Sequence, residues 1–190
     1  MTSRSRARAI CVAVLAVSAS LGVAACSGDD ASRSTASPAP IGERVAQTCD
    51  DLLPAEALSV YGRTFERVAD WRPEQGTPAA SIVEQRGRAC AFRATDDAST
   101  TITLAVAHLP EKSLTTLKDA LYDRGGSVPT YRVEGYFVLA DDGVGRADAF
   151  ADPYWITASS TLFTEPGGAE PVVDAVRRVL QRSSSATPAG

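Results

Sequence analysis

Thr100-Thr101-Ile102-Thr103-Leu104-Ala105-Val106-Ala107-His108-Leu109 is the stretch on which the fold turns. Ile102, Leu104 and Val106 alternate with threonine and alanine, the period-two pattern of a strand with one face on a core. Pro110 then starts a helix expected to run through Arg124. Leu114, Leu117 and Leu121 fall on one face of it, and Gly125-Gly126 supplies its exit.

Downstream, Tyr131 to Ala140 is rich in β-branched and aromatic residues and reads as a strand, and Asp142-Gly143 fits a tight hairpin turn. Val144 to Phe150 and Tyr154 to Thr164 read as two further strands. Glu165-Pro166-Gly167-Gly168 breaks the chain. A last helix is expected over Pro171 to Arg182, with Val172, Val176, Val179 and Leu180 inward and Arg177, Arg178 and Arg182 at its negative end.

Upstream, Asp96-Asp97-Ala98-Ser99 is a turn, and Ser81 to Thr95 reads as a strand or two through Ile82, Val83, Cys90 and Phe92. Trp71 to Ala80, with Pro73, Gly76 and Pro78, reads as a loop, and Thr64 to Asp70 as a strand. A helix from Pro54 to Gly62 opens the domain, with Leu53, Ala57, Val60 and Tyr61 at core spacing. The resulting order is α-β-β-β-α-β-β-β-α. It implies an α+β domain with a mostly antiparallel sheet and helices on one face.

The N-terminus has another character. Arg4, Arg6 and Arg8 precede the apolar run Ala9 to Val17, and small residues follow to Ala25. A basic start, a short apolar core and a small-residue end describe an export signal. Ser18, Ser20 and Gly22 make it a poor permanent span, which needs ~20 mainly apolar residues. Val23-Ala24-Ala25-Cys26 resembles the bacterial lipobox. That resemblance implies cleavage before Cys26 and acylation of its thiol, against the alternative of an ordinary cleaved signal. Each buried CH₂ adds ~0.8 kcal/mol, so two chains hold a protein at a membrane without a spanning helix.

Four segments follow from this: a signal over 1–25, a lipidated cysteine and Ser/Pro-rich tether over 26–44, a globular domain over 45–183, and a disordered tail over 184–190. Loss of Arg4, Arg6 and Arg8 leaves 16 basic against 23 acidic side chains, a net charge of −7. That balance counts against nucleic acid, which needs a basic face, and against attachment to anionic lipid by charge. Of the four cysteines, Cys11 leaves with the signal and Cys26 takes the lipid. Cys49 and Cys90 remain, and in an oxidising compartment they most simply pair. Two cysteines and a single histidine fall short of a zinc site, and no pattern here calls for a metal or a cofactor.

Cys49-Asp50-Asp51-Leu52-Leu53-Pro54, Cys90-Ala91-Phe92 and Gly143-Val144-Gly145-Arg146-Ala147-Asp148-Ala149-Phe150 together resemble an uncharacterised family of actinobacterial lipoproteins, in the style of extracellular sensor domains. The resemblance covers about residues 45 to 183. It implies an exported α+β domain with a disulfide, and it brings no established reaction and no catalytic residues to carry over.

The chemistry-bearing residues are sparse. His108 ends the apolar face of its strand and reads as a packed ring; as a general base it would need an activated serine, and no Gly-x-Ser-x-Gly elbow is present. The acid pairs Asp50/Asp51, Asp96/Asp97 and Asp141/Asp142 sit at turns or a helix start, where carboxylates accept backbone hydrogen bonds. Gly143-Val144-Gly145 lacks the third glycine of a nucleotide loop. Trp71, Tyr154 and Trp155 are the candidate ligand or partner contacts, with a core role as the alternative. The leading expectation is a non-catalytic envelope lipoprotein that binds a ligand or a protein partner. The alternatives are a structural or assembly lipoprotein without a small-molecule site, and an envelope hydrolase using His108.

Overall fold

The structure, a computed structural model, describes residues 41–186. The segment expected to be an export signal, Cys26 and most of the expected tether lie outside the described residues, as does the end of the expected tail. Twelve elements form an α+β domain around one six-stranded antiparallel sheet of order β1-β2-β3-β6-β5-β4. The strands are β1 (Phe65–Arg67), β2 (Arg88–Ala94), β3 (Thr101–His108), β4 (Glu134–Leu139), β5 (Gly145–Ala151) and β6 (Tyr154–Ser160).

The alternation read from Thr100 to Leu109 is the register of the central strand. Ile102, Leu104 and Val106 are fully buried on one face and sit opposite Phe92, Cys90 and Arg88 of β2. Each large aliphatic side chain buried this way contributes ~1.5–3 kcal/mol. That face also takes Ala147 and Ala149 of β5 and Ile156 and Ala158 of β6. It is covered by α5 (Pro166–Ala186), through Val172, Val173, Val176 and Leu180, and by the short helices α1 (Cys49–Leu52) and α2 (Ala55–Leu58). The Tyr61 and Tyr131 hydroxyls donate to the Gly168 and Pro166 carbonyls, at 2.8 and 3.2 Å, and fix the first turns of α5. Burial pushes both phenols well above their ordinary range.

Helices cover the other face too, which corrects the one-sided arrangement expected from sequence. Ala105 and Ala107 of β3, Phe150 of β5, Trp155 of β6 and Tyr136 of β4 form a second core. It is closed by Ile82 of α3 (Pro78–Glu84) and by Leu114 and Leu121 of α4 (Glu111–Gly125). The alanines that read as the solvent side of β3 are the flat surface against which α3 packs.

The element order differs for the same reason. α3 lies between β1 and β2, where a loop and the Ile82-Val83 strand were expected. Thr77 caps it, accepting from the Ala80 N–H at 3.2 Å, and Pro78 takes the first helical position. The helix expected over Pro54 to Gly62 is the short α2 followed by a 3₁₀ turn at Ser59–Tyr61, with α1 a separate turn before it. That break in the 3.6-residue spacing turns Val60 outward, 62% exposed. α5 begins at Pro166, so Glu165-Pro166-Gly167-Gly168 opens a helix rather than separating elements, and Pro171 lies within it.

Cys49 and Cys90 form a disulfide with an S–S distance of 2.08 Å and Cα atoms 5.8 Å apart. It joins the start of α1 to an interior strand. A link spanning 41 residues removes ~4 kcal/mol worth of unfolded-chain entropy.

Candidate functional site

The second face of the sheet is covered at both ends and open between. Its side chains form rows across the strands. Thr103, Ser159, Arg146 and Val138 make one row, on β3, β6, β5 and β4. Ala105, Thr157, Asp148 and Tyr136 make the next. The third row, Ala107, Trp155, Phe150 and Glu134, runs under α4.

The first two rows floor a groove. On one side a depression of about 200 Å³ is walled by Trp71, Pro73, Glu74 and the start of α3 at Thr77–Ala79. On the other a depression of about 290 Å³ is walled by Leu121, Arg124, Gly125 and Gly126 at the end of α4. Gly126 makes the second wall possible: its φ of 75° ends α4 in a conformation that side-chain-bearing residues rarely adopt. Arg146 lines both depressions and stands between them.

Arg146 is held from below. Its Nε–H donates to Asp148 Oδ2 at 2.9 Å, while the Trp155 indole N–H donates to Asp148 Oδ1 at 3.0 Å. Asp148 is 2% exposed, so its charge is balanced inside the protein and not by water. Among the described residues the two terminal nitrogens of Arg146 make no hydrogen bond. Beside them, the Thr103 and Ser159 hydroxyls bond to each other at 2.5 Å. The groove thus offers a positioned guanidinium fork, the Thr103, Thr157 and Ser159 hydroxyls and an indole wall, with the Glu74 carboxylate also lining it, which suits a heavily hydroxylated small molecule bearing an acidic group for Arg146.

The structure places the three candidate aromatics apart. Trp71 lines the groove. Trp155 lies beneath it, 7% exposed, and acts through Asp148. Tyr154 has the opposite parity and packs by the first core, its ring 5.0 Å from that of His108. His108 sits at the strand end, its Nδ1 3.4 Å from Glu43 Oε2. Among the described residues no hydroxyl bonds to its ring, so it has a carboxylate neighbour and no nucleophile.

The acid pairs behave as local caps. Asp51 closes a capping box with Thr48. Asp97 accepts from the Ser99 N–H and hydroxyl and from the Thr100 hydroxyl, at 3.0, 2.6 and 2.6 Å, and these bonds hold its carboxyl far below the usual range. Asp142 accepts from the Val144 N–H at 3.0 Å. A separate cluster lies at the end of the second core: Lys118 Nζ is 3.0 Å from Asp152, 3.4 Å from Glu134 and 5.3 Å from the Phe150 ring centre. Burial pulls this ammonium down, but the two carboxylates outweigh it and hold its pKa above the ordinary value.

Sequence reasoning alone does not single out Arg146, Asp148, Thr103 or Ser159. A signal is present for two of them. Arg146 and Asp148 are the only charges in Gly145-Arg146-Ala147-Asp148-Ala149-Phe150-Ala151, and strand parity puts both on one face beside Phe150.

Among the described residues no group of three or more His, Cys, Asp or Glu side chains is placed to hold a metal ion, and no helix is long and apolar enough to cross a membrane. Fold and groove together define an α+β domain with an arginine-centred depression on a two-sided sheet. No family model, curated protein or solved structure matches the chain.

Proposed function

We propose that the chain is a cell-envelope lipoprotein, acylated on Cys26 and held at the extracytoplasmic face of the cell membrane. Its domain binds a small acidic ligand in the Arg146 groove and catalyses no reaction. One observation carries the reading: Asp148 and Trp155 hold Arg146 by its Nε while its terminal nitrogens stay unpaired among the described residues. A guanidinium fixed from behind loses little freedom when it grips a carboxylate or phosphate, and this favours binding. The Thr103 and Ser159 hydroxyls bond each other and not a base, which supports recognition over hydrolysis.

Native mass spectrometry of the intact protein, taken from its own membrane in mild detergent, tests this. The expected result is an acyl mass on Cys26 and a retained small molecule that Arg146→Gln no longer carries. Absence of any bound molecule from both wild type and Arg146→Gln would refute the groove and favour the assembly role.

A further inference from the structure

Arg44, Arg86 and Arg88 line one depression of about 470 Å³ together with Val45 and Gly87. The chain is built to hold them there. The segment entering the domain runs beside the α3–β2 turn: the Glu43 N–H donates to the His108 carbonyl at 3.0 Å, and the Val45 N–H to the Arg86 carbonyl at 3.4 Å. Gly42 allows this approach, since a Cβ there would lie 2.3 Å from the Gln85 carbonyl oxygen. Arg86 adopts a left-handed φ of 64° to leave α3. Arg88 is steadied by its Nε–H, which donates to the Gln47 carbonyl at 3.2 Å.

Among the described residues, none of these three guanidinium groups has a carboxylate within 4.0 Å. Glu43, the acid beside Arg44, turns to His108 instead, and Glu84 pairs with none of the three. Elsewhere Arg63, Arg67, Arg132, Arg146, Arg177 and Arg178 have carboxylate partners, while Arg72, Arg93, Arg124 and Arg182 have none among the described residues; what sets these three apart is that they line one depression together. Like charges gathered round one depression in an acidic protein repel until an anion joins them. Two exposed apolar side chains accompany them: Ile41, whose N–H donates to Gln85 Oε1, and Val83 of α3.

We infer that this corner binds phosphate groups and seats the domain on the anionic lipid headgroups of the membrane beneath it. The membrane is favoured over a free anion by where the chain leads. Cys26 lies 15 residues before Ile41, so the two are no more than ~50 Å apart along the chain. That clause rests on the acylation proposed above; the arginine site does not. The net charge of −7 does not oppose contact, because screening over ~8 Å lets the local charge decide.

The full-length chain with Cys26→Ser is mixed with vesicles of phosphatidylcholine alone, or of phosphatidylcholine with one-third phosphatidylglycerol, and co-sedimentation is compared with that of an Arg44→Gln/Arg86→Asn variant. Both side chains are exposed, and asparagine tolerates the left-handed backbone at position 86. The Arg4, Arg6 and Arg8 charges are common to both proteins and cancel in the comparison. At about fivefold per arginine near an anionic surface, the variant should bind the anionic vesicles ~25-fold more weakly. Binding to neutral vesicles should not change, and Arg44→Lys/Arg86→Lys should retain most of the affinity. Equal binding of wild type and variant to anionic vesicles overturns the proposal. So does release by inorganic phosphate beyond that caused by chloride of equal ionic strength, which would mark a free-anion site. An intact mass lacking acylation at Cys26 in the wild type would remove the tether alone, and the vesicle comparison would still decide the arginine site.

Discussion

Asp148→Asn is the sharpest test of the groove's architecture. Asp148 accepts two bonds, one on each oxygen, from Trp155 and Arg146. Asparagine has one acceptor oxygen and one NH₂. Whichever way it turns, a donor faces a donor, so either the indole or the guanidinium is left unserved. A hydrogen bond to a charged group contributes ~1.5–3 kcal/mol, and stripping one partner from a fully buried pair costs ~3–5 kcal/mol. The Arg146 side chain is 27% exposed, so water takes over part of its solvation and the lower range applies. The expected loss is ~2 kcal/mol. In a domain of this size it corresponds to a Tm lower by ~4–8 °C. Urea unfolding at pH 7, followed by tryptophan fluorescence, should show a lower midpoint with an unchanged slope. Adding Arg146→Gln should recover part of the loss, because the stranded charge is then gone. A change below ~0.5 kcal/mol would mean that the pair is hydrated and the groove is not held as described.

Two further outcomes are expected. A Cβ at Gly145 would lie 1.8 Å from the Phe163 carbonyl oxygen and 2.8 Å from Phe137 Cζ. Gly145→Ala should therefore cost ~3 kcal/mol in thermal or urea unfolding, the upper part of the range for overpacking, and a neutral effect would contradict the packing there. Asp97 has a folded pKa depressed first by the Ser99 hydroxyl, then by the Thr100 hydroxyl and the Ser99 N–H. Its stabilising contribution is complete above the unfolded value near ~4 and fades as pH falls through the lower folded value. The stability gap between wild type and Asp97→Asn should thus be level at neutral pH and narrow below ~4. A gap of constant size from neutral to strongly acid solution would count against this assignment.

What could be read from the chain depended on whether one periodicity governed each segment. β3 and α4 were legible because their large side chains fall on single faces, at spacings of two and of three to four. The hairpin of β4 and β5 was legible from Asp142-Gly143, whose glycine has a φ of 81°. α3 was not, because Ile82 and Val83 favour strands by propensity while the Thr77 cap and Pro78 settle the backbone as a helix. The second covered face was hidden by its small residues: alanine at 105 and 107 reads as neutral in a sequence but is where a helix can approach closely. Gly168 misled in the same way. It ended a run of breakers on paper, whereas in the fold a Cβ there would sit 3.1 Å from the Phe163 Cα, so the residue is small for packing. The groove was partly legible through Trp71. Its floor was not, because Thr103, Ser159 and Arg146 meet only once three strands are paired in register.

The disulfide also decides what a pull on the N-terminal end of the domain would do. Force arriving from the N-terminal side loads the Glu43–His108 bridge first and the Val45–Arg86 bond next, each of which can be unzipped singly. Peeling then reaches Cys49, where the covalent link passes the load to Cys90 in an interior strand, paired on both sides by β1 and β3. Residues 41 to 48 would release at most ~28 Å of extra line before the sheet itself is loaded.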